Sequence, residues 1–330
     1  MELDSVQYLT PQEVALGQHN EALLRENTNR WVMFPIHYDA LWAMYKEIEN
    51  SFWAAEDFRF SADQEAVSGL DTELKQCIVK LISFHAKLCY SDAARPATVT
   101  LDLLSDTQLP EARAFYGFQV SYENIHDELF GTMSMTVPGS AEVPEGLAKV
   151  AWLSQKFAAA ECFYMKVVLQ CISKCVFRCA YGILADFLKK SNMLPTIVSA
   201  LDTVAKDINI HLKFAAAVFD HLKLRVNRDV LLAVLSEAYD LEVAFCKSVL
   251  PLGYMGLSDY QLAQYVKNAV NQCLRMAGHA EEYRIDVDLG WLKPTALNFR
   301  ITAAQVRQSK PKVPPVVGTA VGSISFDEDF

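Results

Sequence analysis

Apolar side chains recur at three- and four-residue intervals over seven long stretches, at about 38–50, 72–94, 110–136, 161–190, 197–222, 228–249 and 258–278. That 3.6-residue period marks helices that bury one face, whereas the period-two alternation of half-buried strands is scarce. The pattern predicts an all-α chain. Breaks fall between the stretches: Pro96 after the second, the run PGSAEVPEG (138–146) after the third, Pro195 after the fourth and Pro251-Leu252-Gly253 after the sixth. Proline ends a helix because it lacks the N–H and its ring clashes with the preceding turn. Helices of roughly 20 to 30 residues with short links suit an antiparallel bundle. No internal repeat is visible.

From about residue 308 the periodicity stops. The segment QSKPKVPPVVGTAVGSIS is rich in Pro, Val, Gly and Ser and predicts a flexible tail. It ends in ISFDEDF, where Ile324, Phe326 and Phe330 are apolar and Asp327, Glu328, Asp329 and the terminal carboxylate are negative. Aromatic residues at such a terminus are expected to dock in a partner's groove rather than to pack internally. The organisation expected is an N-terminal extension (1–28), a helical domain (29–300) and a tail (301–330) whose residues 324–330 form the docking peptide.

Composition narrows the function. The chain has 13 Gly and 12 Pro in 330 residues, 52% hydrophobic and 21% charged residues. It can bury a large core, which excludes a disordered, collagen-like or small disulfide-stapled protein. A net charge of -10 argues against binding nucleic acid or an anionic membrane, since both depend on Lys and Arg meeting phosphates. The eight cysteines follow an acidic N-terminus, MELDSVQYLTPQEV, without an apolar secretory core, so reduced thiols and a cytoplasmic location are expected. Cys171, Cys175 and Cys179 share one helix face and read as small core residues. The most apolar stretch, 163–189, is interrupted by Lys166, Lys174 and Arg178, so no membrane span is expected.

Candidate chemistry centres on Glu123-Asn124-Ile125-His126, a Glu-x-x-His pair whose side chains share a helix face. Di-metal carboxylate bundles use such pairs together with further carboxylates from neighbouring helices. Alone the motif is weak. Its surroundings, NRWVMFPIHYDALWAMYKEIENSFWAAED (29–57) and EARAFYGFQVSYENIHDELF (111–130), together with the FDEDF ending, resemble the small subunit of class I ribonucleotide reductase. The likeness spans roughly residues 20–280 and the last seven. It implies a ferritin-like helical bundle, and in that family a di-iron centre with a tyrosyl radical.

Carried over position by position, the resemblance implies a depleted site. Glu123 and His126 match the first ligand pair, but the radical tyrosine's place holds Phe130, which has no phenolic O–H to oxidise. Aligning Lys206-Asp207-Ile208-Asn209-Ile210-His211 with the second ligand motif keeps His211 and puts Ile208 where a bridging carboxylate belongs. Counting back from Leu194-Pro195 puts Lys174 at the core-helix glutamate. The remaining aspartate position falls on Leu88, or on Asp92 if the register shifts by four residues. A lysine ammonium about 4 Å from a divalent ion repels it by about 8 kcal/mol at an effective dielectric of 20. The expectation is therefore no metal cofactor, with Lys174 paired to Glu123 so that protein charge replaces metal charge. The alternative is one iron or another divalent metal on Glu123, His126 and His211, a two-histidine, one-carboxylate set.

Trp53 and Asp207 match the family's radical-transfer residues, which His126 would link, yet no tyrosine follows Arg300. The resemblance thus implies a non-catalytic small-subunit paralogue. Its expected partners are an active small subunit, in a heterodimer, and the large subunit, through Ile324, Phe326, Asp327, Asp329 and Phe330. Rival readings are a radical-generating small subunit with a mononuclear or mixed metal centre, and a bundle protein that binds an unrelated partner.

Overall fold

The computed structural model describes residues 5–286 and 289–293. In chain order the elements are β1 (Gln7–Leu9), α1 (Pro11–Gly17), α2 (Asp39–Asn50), α3 (Gln64–Ser68), α4 (Thr72–Cys89), α5 (Pro96–Asp106), α6 (Pro110–Thr136), α7 (Pro144–Ala158), α8 (Phe163–Lys174), α9 (Cys179–Lys190), α10 (Pro195–His221), β2 (Leu224–Val226), α11 (Arg228–Val249), α12 (Leu252–Met255) and α13 (Asp259–Met276). The long helix α6 is the hub, with α2, α4 and α5 packed against it. Helix α10 closes the site side of the bundle against α2, α8 and α9, and α11 packs on α7 and α13.

Local chemistry sets these boundaries. Helices α5, α6, α7 and α10 each begin with proline in the first turn, where the missing N–H would have no intrahelical partner anyway. Elsewhere side chains satisfy the orphan N–H groups: Asp71 accepts from the Glu73 N–H at α4, Asn227 from the Val230 N–H at α11, and Ser258 with Gln261 forms a capping box at α13.

Three departures from the periodicity reading matter. The stretch 72–94 stops being helical at Cys89, because the chain turns through residues 91–94 and restarts at Pro96 as α5. The stretch 161–190 is two helices, interrupted by a 3-10 turn at Val176–Arg178. That interruption leaves Lys174 in the last turn of α8, where a cation is favoured by the unpaired carbonyls of the helix end. Helix α7 occupies residues read as a link and its sequel. By length and composition Phe163–Lys190 would suffice to cross a membrane, but 78% of its most apolar window is buried inside the bundle, which accounts for its apolarity.

The stretch from Gln7 to Glu21 is tied to the bundle. β1 runs parallel to β2, with Gln7 opposite Leu224, and Glu21 is buried where it accepts the N–H groups of Lys223 and Leu224 at 2.8 and 2.6 Å. Ile324, Phe326, Asp327, Asp329 and Phe330 lie outside the described residues.

Candidate functional site

Two helical repeats face each other across the core. Glu123 and His126 are three apart on α6, and Asp207 and His211 are four apart on α10, so each pair projects from one face. Lys174 enters from the end of α8. All five are buried, none more than 6% exposed. The Lys174 ammonium donates to Glu123 Oε1 and lies 3.4 Å from His211 Nδ1. His211 Nδ1 is 3.7 Å from Glu123 Oε1, and His126 Nδ1 is 3.9 Å from Glu123 Oε2. Both imidazole nitrogens thus face the Glu123 carboxylate, and the ammonium occupies its Oε1 side next to His211.

The opposite edge of His126 is engaged elsewhere. Its Nε2 lies 2.9 Å from Asp207 Oδ2, which also accepts the Trp53 indole N–H at 2.9 Å. The Trp53 and His126 rings stack with centroids 6.1 Å apart, so Trp53, Asp207 and His126 form one connected unit. Burial dominates the electrostatics here. It pushes His126 down to about 3, opposed by Glu123 and reinforced by Arg178 and Lys174. Burial, then Lys174 and His126, hold His211 well below its ordinary value, so both imidazoles are neutral at neutral pH. Burial also lifts the Asp207 carboxyl to about 7 against the opposing Trp53 hydrogen bond and the charges of Lys174 and Lys206.

The remaining sequence candidates bring no further donor. Ile208 and Leu88 are buried and apolar. Asp92 sits beyond the end of α4 with its side chain exposed, so the shifted register supplies no carboxylate to the buried cluster. Phe130 is buried, its ring stacked on His85 with centroids 4.0 Å apart and edge-on to Tyr181. A two-ion centre needs several anionic oxygens. Here Glu123 is the one carboxylate within reach of the two Nδ1 atoms among the described residues, and a cation is hydrogen-bonded to it. The residues present do not fit a di-metal centre. A cavity of about 210 Å³ adjoins this cluster, with Lys174, Arg178, Tyr181 and Ile208 in its wall.

The expectation that the chain holds no metal is not supported, because a second donor group lies one helical turn away. His85, Cys89 and Asp127 bring one ligand atom each to within 4.8 Å of one another, enough to hold a single ion. Sequence reading passed over it. Its signal was the His85/Cys89 spacing of four on α4, but Asp127 comes from α6 and only the packing of the two helices joins them.

The sequence model of the family described as "Ribonucleotide reductase, small chain" matches residues 30–288. Among curated proteins, 328 aligned residues are 26% identical to a ribonucleoside-diphosphate reductase small subunit of Arabidopsis thaliana, covering 94% of the present sequence and 96% of the plant one. Identity is likewise 26%, over 329 residues, to ribonucleoside-diphosphate reductase subunit M2 of Homo sapiens, covering 96% of the present sequence and 84% of the human one. Among solved structures, the Rnr4 homodimer of Saccharomyces cerevisiae superposes with a TM-score of 0.75 at 24% identity, over 83% of the present sequence and 90% of the yeast one. The fold is that ferritin-like helical bundle.

Proposed function

Because the chain belongs to the ribonucleotide reductase small-chain family, we propose that it is a non-catalytic small subunit, which pairs with an active small subunit and supports deoxyribonucleotide synthesis in the cytoplasm. One observation carries the reading: the Lys174 ammonium sits on Glu123 and beside His211 Nδ1, on the carboxylate that the family's metal chemistry would require. A lone buried carboxylate is costly, and the lysine satisfies it without an ion. Two further features support it. Phe130 offers no oxidisable phenol at the radical position, and the sequence beyond Arg300 contains no tyrosine to pass a radical onward. The Trp53–Asp207–His126 unit is kept as a packed, hydrogen-bonded part of the core.

Docking on the large subunit is assigned to residues 324–330, whose aromatic and acidic side chains suit an apolar groove with a basic rim. The test is reconstitution. Reductase turnover is measured from the large subunit with an active small subunit, with and without this protein, and from the large subunit with this protein as the sole small subunit. The reading expects higher turnover or better assembly in the three-component mixture and none from the last combination. Turnover in that combination would overturn it. Capture of the large subunit by the full-length protein, but not by a form ending at residue 323, checks the docking peptide; equal capture by both removes it.

A further inference from the structure

We propose that His85, Cys89 and Asp127 form a mononuclear zinc(II) site that clamps α4 to α6. The three ligand atoms already converge. His85 Nε2 and Cys89 Sγ each lie 3.1 Å from the same oxygen, Asp127 Oδ1. Tetrahedral zinc, with bonds of about 2.0–2.3 Å, sets N···O and S···O edges of about 3.3–3.5 Å. These two edges therefore need to open by only a few tenths of an ångström to accept the ion, and the third, between His85 and Cys89, lies within 4.8 Å.

The surroundings behave as a supporting shell. Arg95 holds the other carboxylate oxygen, Asp127 Oδ2, through its Nε at 3.2 Å and a terminal nitrogen at 2.9 Å, and also donates to Asn124. That fork fixes the carboxylate and aims Oδ1 at the histidine and thiol, as outer hydrogen bonds do for metal-bound carboxylates. The His85 ring is locked by its stack on Phe130. His85 is buried while Cys89 and Asp127 are half-buried, so a water can reach the fourth position. One nitrogen, one sulfur and one oxygen favour zinc over magnesium or calcium, which prefer all-oxygen shells.

Charge and protons balance. Zinc displaces the Cys89 S–H proton to solvent and takes the His85 Nε2 lone pair, the imidazole proton moving to Nδ1. His85 Nδ1 has no partner beforehand, so the tautomer change adds no new unpaired buried atom. Thiolate and carboxylate together offset the two positive charges of the ion, and Arg95 remains paired as before.

The site shares no residue with the Glu123 cluster, and the test separates them. The full-length protein, freed of metal, is titrated with zinc(II) alone and with cobalt(II) alone. The proposal expects one ion per protein molecule and a thiolate-to-cobalt charge-transfer band. It also expects a zinc-dependent rise in thermal midpoint of roughly 5 °C at a hundredfold excess over the dissociation constant. Cys89→Ser abolishes the band, His85→Gln and Asp127→Asn each weaken zinc by about 100-fold or more, and His211→Ala changes none of these. Circular dichroism of each metal-free variant checks that it is folded, and if Cys89→Ser is not, the cobalt band in His85→Gln and Asp127→Asn decides. No bound ion, a cobalt adduct without the thiolate band, or an ion lost in His211→Ala but kept in Cys89→Ser would each overturn the site.

Discussion

Two buried lysine–glutamate pairs lie in this bundle, and they are built differently. Lys149 of α7 meets Glu242 of α11 at 2.6 Å with both side chains fully buried. The Lys149 ammonium also donates to the Phe177 carbonyl at 3.3 Å and lies over the rings of Phe84, Phe177 and Phe245, the nearest centroid 3.7 Å away. Glu242 accepts in turn from the Ala180 N–H and the Cys246 thiol. Every charged group of that pair is held within the packing. Lys174 and Glu123 instead sit among imidazoles at 3.4 to 3.9 Å, and Lys174 lines a cavity of about 210 Å³. The first pair is a unit of the core. The second is a cation inserted where ligands converge, which is why it reads as functional history rather than as packing.

The comparison breaks most sharply at the lysines. Lys149→Ala leaves Glu242 buried without its cation and is expected to destabilise the fold by about 3–5 kcal/mol in urea unfolding. Lys174→Ala is expected to have about half that effect, because the adjoining cavity lets water reach Glu123. Equal losses would remove the distinction between the pairs.

Next in size is a gain of function. Lys174→Glu combined with Ile208→Glu restores two carboxylates beside Glu123, His126 and His211. In a Cys89→Ser background the double variant is expected to bind at least one additional ferrous or manganous ion per molecule, counted after gel filtration. The parent in that background is expected to bind none there.

A smaller effect concerns the Trp53–Asp207–His126 unit. The folded-state carboxyl of Asp207 is raised to about 7 by burial, above its value of about 3.9 in an unfolded chain. Its protonation therefore contributes stability that is fully present below about pH 3.9 and is lost as pH rises through about 7. Trp53 donates to this carboxylate, so the part of the tryptophan emission removed by Trp53→Phe is expected to titrate near pH 7 and to stop titrating in Asp207→Asn. A flat signal in the parent would contradict the raised value.

The smallest change is expected from Phe130→Tyr. The ring stays in place against His85, stability shifts by about 1 kcal/mol or less, and electron paramagnetic resonance shows no tyrosyl radical, since a hydroxyl alone supplies no oxidant.

The long helices were legible because their apolar period survives in the amino-acid order. Helices α5 and α7 were not, for one physical reason: Pro96 and Pro144 read as stops, while proline in a first turn also starts the next helix. The break at Val176–Arg178 carries no proline or glycine, so the segment CVFR gave no warning. It comes from packing. Glu123 and His126 could be named from their Glu-x-x-His spacing, and Asp207, His211 and Lys174 joined them only through the resemblance to the small-subunit family carried over position by position. The His85, Cys89 and Asp127 cluster escaped because its third member joins only when α4 packs on α6. The placement of Asp92 was hidden for a related reason, since the turn that carries it exists only because α4 ends at Cys89.

The central claim is that a lysine has taken the place of metal at Glu123. It is tested most directly by loading the full-length Cys89→Ser protein with ferrous iron under anaerobic conditions, removing free metal and counting iron by elemental analysis and Mössbauer spectroscopy. The account predicts no iron retained at the Glu123, His126 and His211 cluster; one or two ions held there, lost on His211→Ala, would contradict it.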